Sequence, residues 1–187
     1  MQEEESSPIK EQKLELGSVM LSREEIDRRV SEIAAEIAED YRGQELIVVC
    51  VLKGAAIFMV DLVRKIGDAV DVRMDFMAVS SYGDSSTSSG VVKIVKDIDS
   101  YPEGKNVLLV EDIMDSGLTL YYLRDVLMAK NPKSFRTCVL LEKPERKKVS
   151  TEIDYKGFTI PDKFVVGYGL DCAGQWRHLP DIWSVDV

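Results

Sequence analysis

Residues 107–119, V-L-L-V-E-D-I-M-D-S-G-L-T, constrain this chain more than any other stretch. The apolar run at 107–110 is the length of a buried strand. Glu111 and Asp112 follow at once, and Asp115 comes three residues later. Ser116, Gly117 and Thr119 then open an amphipathic helix with Leu120, Leu123, Val126 and Leu127 on one face. A strand that runs through a short turn into a helix N-terminus is the repeating unit of a parallel α/β sheet. The unpaired N–H groups and dipole of that helix start favour an anion, and small residues let a phosphate approach the backbone. The three acids would repel an anion, so they need other work. Holding sugar hydroxyls, holding a divalent cation and moving a proton are the open alternatives.

The rest of the chain repeats this plan. Ser22 and Glu25 have capping-box spacing, and Ile26, Val30, Ile33 and Ile37 mark one face of the helix behind them. Residues 46–52, L-I-V-V-C-V-L, form an unbroken run suited to a strand covered on both faces. Lys53-Gly54 joins it to a helix over 55–66, which Gly67 stops. Lys53 there is either an anion contact or a plain surface lysine. Residues 71–79 alternate as a strand. The segment 80–90, S-S-Y-G-D-S-S-T-S-S-G, is a long polar loop, and strand-like sequence resumes at 91–95. Such a loop is a mobile flap over a site or a hairpin connection without a role. A further buried strand at 136–141 ends in Glu142-Lys143-Pro144, where the proline keeps Lys143 extended. The basic group Lys143, Arg146, Lys147 and Lys148 reads mostly as a solvated turn. Residues 164–169, F-V-V-G-Y-G, read as a last core strand, with Asp171 just beyond it and Arg177 six residues later.

One α/β domain over 19–187, behind a disordered tail over 1–18, is the expected organisation of a 187-residue chain with no internal repeat. A net charge of −9 argues against a nucleic-acid partner, which calls for a basic face. Cys50, Cys138 and Cys172 are widely spaced and odd in number, which speaks against a disulfide framework or a zinc site. The start, M-Q-E-E-E-S-S-P, is acidic without an apolar stretch, and no apolar run is long enough for a membrane span, so a cytoplasmic location and no membrane are expected. No G-x-x-x-x-G-K phosphate loop exists, and the single histidine, His178, stands beside no nucleophile motif. Receiver domains also end an apolar strand in paired acids, but near the N-terminus and with more core strands after them.

The stretch 107–119 resembles the phosphoribosyl-pyrophosphate (PRPP) motif of type I phosphoribosyltransferases. L-K-G-A at 52–55, D-F-M-A-V-S-S-Y-G at 75–83, L-L-E-K-P-E-R at 140–146 and P-D-K-F-V-V-G-Y-G-L-D at 161–171 are similar to the bacterial hypoxanthine-guanine members of that family. The resemblance runs from about residue 19 to near the C-terminus. It implies the type I fold: a mainly parallel central sheet flanked by helices, a mobile antiparallel flap and a small hood. It implies purine salvage, with Mg²⁺-dependent transfer of the 5-phosphoribosyl group from PRPP to N9 of hypoxanthine or guanine. It assigns Asp115 as the proton-transfer residue, and Asp115, Ser116, Gly117, Leu118 and Thr119 to the 5′-phosphate turn. Glu111 and Asp112 go to the ribose and metal region, with Asp171 as a further metal residue. Lys53, Gly54 and Arg177 go to pyrophosphate, with a cis peptide expected beside Lys53. Lys143, Phe164 and Val165 go to the purine, and Ser81 and Tyr82 to the flap. A homodimer or homotetramer is the implied assembly.

Overall fold

The structure, a computed structural model, describes residues 15–81 and 92–186. Strand β1 (Glu15–Leu21) leads into helix α1 (Arg23–Asp40). Then come β2 (Glu45–Leu52), α2 (Ala56–Ile66), β3 (Asp71–Ser81) and β4 (Val92–Lys96). The opening stretch gives β5 (Asn106–Met114) and α3 (Leu118–Met128). The chain closes with β6 (Ser134–Glu142), β7 (Tyr155–Thr159), β8 (Val165–Val166) and β9 (Ile182–Asp186).

Six strands form the central sheet in the order β4-β3-β2-β5-β6-β7. All neighbours are parallel except the β3/β4 pair, which is the antiparallel base expected of a flap. The unbroken apolar runs of β2, β5 and β6 are explained by helices on both faces. Val48, Cys50, Leu108, Val110, Cys138 and Leu140 pack with Ile33 of α1 and Phe58 of α2. The alternate residues Ile47, Val49, Val51, Val107, Leu109 and Val139 pack with Leu120, Leu123 and Leu127 of α3. The direction in which strands are added reverses between β2 and β5. In a doubly wound sheet, a crevice opens outside the carboxyl ends of the two strands at such a point. Among the described residues no helix is long and apolar enough to cross a membrane.

The capping box at the start of α1 is formed. The Glu25 N–H donates to Ser22 Oγ at 3.3 Å, and the Ser22 N–H donates to Glu25 Oε2 at 2.9 Å. Ser22→Ala is expected to cost about 1 kcal/mol of stability, read as a lower thermal midpoint with activity unchanged.

Four expectations change. Residues 15–18, assigned to the tail, belong to β1, which pairs antiparallel with β9; polar residues can form this strand because its partner supplies the ladder. The opening strand does not stop at 110 but carries both acids and ends at Met114, because β6 stays in register through Met114↔Glu142. Residues 164–169 are not a core strand. Val165 and Val166 alone pair with β9, in a separate three-stranded sheet β1-β9-β8 that forms the hood. Gly167, Tyr168 and Gly169 then turn at φ 97°, 49° and 101°, outside extended backbone. The sixth core strand is instead β7, hidden in the short and partly polar Y-K-G-F-T. A Cβ on its Gly157 would lie 2.3 Å from the Leu140 carbonyl oxygen, so the two backbones meet where no side chain fits.

Candidate active site

The crevice outside β2 and β5 holds a cavity of about 390 Å³. Lys53 and Gly54 enter it from the end of β2, and Glu111 and Asp112 from β5. Asp115, Ser116, Gly117 and Thr119 enter from the turn into α3, and Asp171 and Arg177 from the loop between β8 and β9. Ten sequence-assigned residues, drawn from three separate stretches of the chain, thus face one space.

The Leu52–Lys53 peptide is cis, as the resemblance leads one to expect. Gly54 follows because Asp112 lies against its backbone: a Cβ there would stand 1.5 Å from Asp112 Oδ2 and 2.5 Å from Cγ. Gly169 packs on the other side, where a Cβ would stand 2.1 Å from the Gly54 carbonyl oxygen. The Asp112 carboxylate accepts the Ile113 N–H at 2.8 Å. Burial pushes the Glu111 carboxyl well above the ordinary carboxylate range, and the neighbouring Asp112 charge adds to this. Burial also raises Asp112, against the opposing hydrogen bonds from Glu111 and the backbone. Glu111 Oε2 is buried without a hydrogen-bond partner. Two adjacent half-buried acids with an unmet oxygen are arranged for hydroxyl donors or a cation.

Gly117 is left-handed at φ 80° and caps the start of α3 without a side chain, beside the cavity that it and Thr119 line. Asp171 has both oxygens engaged: Arg177 Nη2 lies 2.6 Å from Oδ1, and the Gly174 N–H donates to Oδ2 at 2.7 Å. Arg177 Nη1 also donates to the Gly169 carbonyl at 2.6 Å, which joins this loop to the Gly54 packing.

The purine-assigned residues stand apart from the cavity wall. Lys143 is extended (φ −108°, ψ 90°) and 5% exposed, with Nζ 3.6 Å from Asp162 Oδ1. Its N–H donates to the Met114 carbonyl at 3.0 Å, so it is fixed beside the acid-bearing strand. Val165 is buried, whereas Phe164 is 46% exposed. Leu118 lies in the first turn of α3 but not on the cavity wall. Ser81 ends β3, and Tyr82 and most of the serine-rich loop lie outside the described residues.

One contact was not expected from sequence. Arg146, read as part of a solvated turn, places Nε 2.9 Å from Asp115 Oδ1. A K-P-E-R turn of mixed charge gives no sign of which basic residue points inward; only the fold, by laying this turn against the start of α3, selects it.

Residues 21–173 match the family described as phosphoribosyl transferase domain. The chain is 50% identical to a hypoxanthine-guanine phosphoribosyltransferase of Aquifex aeolicus, over 95% of this chain and 98% of that one. A crystal structure of a hypoxanthine-guanine phosphoribosyltransferase from Bacillus anthracis is 46% identical, with TM-score 0.86 over 93% of this chain and 99% of that one. A hypoxanthine phosphoribosyltransferase structure from Staphylococcus aureus is 42% identical, with TM-score 0.87 over 91% and 92% of the two chains. The agreement covers the β2 and β5 junctions, the turn into α3 and the 161–171 segment together, and the chain belongs to the phosphoribosyltransferase family, in its hypoxanthine-guanine branch.

Proposed function

We propose that this enzyme transfers the 5-phosphoribosyl group of PRPP to N9 of hypoxanthine and guanine, forming IMP or GMP and pyrophosphate in purine salvage. The observation that carries this reading is the convergence of the Lys53-Gly54 junction, the Glu111-Asp112 pair, the 115–119 turn and Arg177 on one cavity, with buried Lys143 tied to the same strand.

Each part has a task that follows from the charge it would meet. Breaking the bond at the ribose C1 leaves positive charge on the sugar and negative charge on the departing pyrophosphate. Lys53, the Gly54 backbone and Arg177 supply fixed positive charge and donors where the latter grows. The N–H groups of Ser116, Gly117, Leu118 and Thr119 hold the 5′-phosphate at the start of α3. Glu111 and Asp112 accept the ribose hydroxyls, which satisfies the orphaned Glu111 oxygen. Asp115 exchanges a proton with the purine N7 as N9 bonds to C1. The Lys143 ammonium faces the 6-oxo group, Phe164 stacks on the ring and the Val165 backbone reads its edge. The role proposed for Ser81 and Tyr82 is to exclude water from the cationic sugar.

The acid residues suit Mg²⁺. Their donors are hard oxygens, and the partnerless Glu111 Oε2 leaves one of them free to meet a cation or its water shell. Glu111, Asp112 and Asp171 are the residues that would hold it, and when bound it neutralises and orients the pyrophosphate. We place the enzyme in the cytoplasm, as a homodimer or homotetramer that uses small-molecule substrates and no nucleic acid or membrane.

The test is an assay with Mg²⁺, PRPP and hypoxanthine, guanine, xanthine or adenine in turn. Hypoxanthine and guanine are expected to give nucleotide and pyrophosphate, with adenine at least about a hundredfold poorer in kcat/KM. Failure with every 6-oxopurine would overturn the reading. In the same panel, Lys143→Gln is expected to shrink the preference for a 6-oxo over a 6-amino purine by about tenfold or more, since an amide can donate or accept. Unchanged selectivity would remove Lys143 from the base site.

A further inference from the structure

Residues 143–149 run beside residues 114–117 in step. The Lys143 N–H donates to the Met114 carbonyl at 3.0 Å, and Arg146 Nε lies 2.9 Å from Asp115 Oδ1. The Lys148 N–H donates to the Ser116 carbonyl at 2.9 Å, and Val149 backs Gly117, with Cγ2 3.1 Å from where a Cβ would be. Arg146 also reaches sideways. Its Nη1 lies 3.6 Å from Asp162 Oδ1, the oxygen that is 3.6 Å from Lys143 Nζ. The run Asp115–Arg146–Asp162–Lys143 therefore links the turn into α3 to the end of β6.

We propose that Arg146 is a positioning residue for the transfer: it fixes the Asp115 carboxylate and, through Asp162, holds it in one frame with Lys143. The inference rests on the roles given above to Asp115 and Lys143. Asp115 lines the cavity from the turn before α3, and its carboxylate can swing on two rotatable bonds unless a partner holds it. The Arg146 guanidinium, held by the adjoining strap, opposes that motion by charge attraction at 2.9 Å; the contact is an ion pair without hydrogen-bond alignment, since Asp115 Oδ1 has no hydrogen-bond partner. The pair is too exposed to matter much for folding, at 51% and 43% side-chain exposure. Its loss should therefore appear in turnover rather than in stability. A misplaced proton-transfer group lowers kcat without weakening the hold on PRPP, which other residues provide.

The experiment is steady-state kinetics on the full chain with Mg²⁺, PRPP and hypoxanthine, for Arg146→Met, Arg146→Lys, Asp115→Asn and the Asp115→Asn/Arg146→Met double variant. Arg146→Met is expected to lower kcat about tenfold, with both KM values within about twofold and the thermal midpoint nearly unchanged. Arg146→Lys restores part of the loss, and the double variant is no slower than Asp115→Asn alone. Wild-type turnover in Arg146→Met beside a slow Asp115→Asn would overturn this inference and leave the site reading intact. An equal loss in the Asp115→Asn background would likewise show that Arg146 does not act through Asp115. Normal turnover in Asp115→Asn would instead overturn the role of Asp115 itself, and this inference with it.

Discussion

Asp115→Asn is expected to lower kcat for hypoxanthine by about a hundredfold, within the span that one positioned proton-transfer group supplies. The KM for PRPP should change by less than about threefold, because the phosphate contacts proposed for this turn are backbone N–H groups that the substitution leaves in place. Asn keeps the shape of the side chain, and Asp115 lies at the cavity wall rather than in the core, so the fold has no reason to change. The charge does change, and with it both the capacity to accept a proton and the attraction of Arg146. The two effects separate on the product side: a variant without a proton acceptor should also be slow in the reverse direction, with IMP and pyrophosphate, since the same group must return the proton to N7. Turnover near wild type in either direction would remove Asp115 from the proton-transfer step.

What could be read without the structure follows the range of the interactions involved. The β2 and β5 junctions are local, since apolar run, turn and helix N-terminus lie within a dozen residues, and their alternation with helices fixes a parallel sheet. A parallel sheet with a reversal of strand order dictates where its crevice lies, so Lys53 and Asp112 could be expected in one place though far apart in sequence. Residues whose position is set by distant backbone were not legible. The strand β7 has no hydrophobic alternation of its own and exists because β6 offers it an edge. The segment 164–169 has the composition of a core strand, but the hood captures Val165 and Val166, and three left-handed residues turn the remainder toward Asp171 and Arg177. Arg146 looked like its basic neighbours because nothing within the turn says which of them meets an acid some thirty residues earlier. Gly54 was assigned to the site by resemblance alone; the reason it is glycine lies in Asp112, on another strand.

That reason makes Gly54→Ala the second large effect. The new methyl would coincide with Asp112 Oδ2 at 1.5 Å and crowd Cγ at 2.5 Å, so no small shift relieves it. The Gly54 carbonyl is also in close packing with Gly169, which limits how far the junction can shift. The Asp112 side chain must rotate, giving up the Ile113 N–H at 2.8 Å and its place beside Glu111. Both partners in the clash face the cavity, and the proposed function gives one to pyrophosphate and the other to the ribose, so on that reading binding suffers on two sides at once. The expected result is a KM for PRPP raised about tenfold or more, on the order of 1.4 kcal/mol of binding, together with a fall in kcat. A lower thermal midpoint should accompany it, since half-buried Asp112 loses a hydrogen bond. Combining Gly54→Ala with Asp112→Ser, whose shorter side chain leaves room for the methyl, separates steric displacement from a change in the junction backbone. If displacement of Asp112 is the cause, the double variant will bind PRPP no worse than Asp112→Ser alone. If the two losses simply add, the methyl acts on the Lys53-Gly54 backbone instead, and the close approach of Asp112 is not what requires glycine at this position.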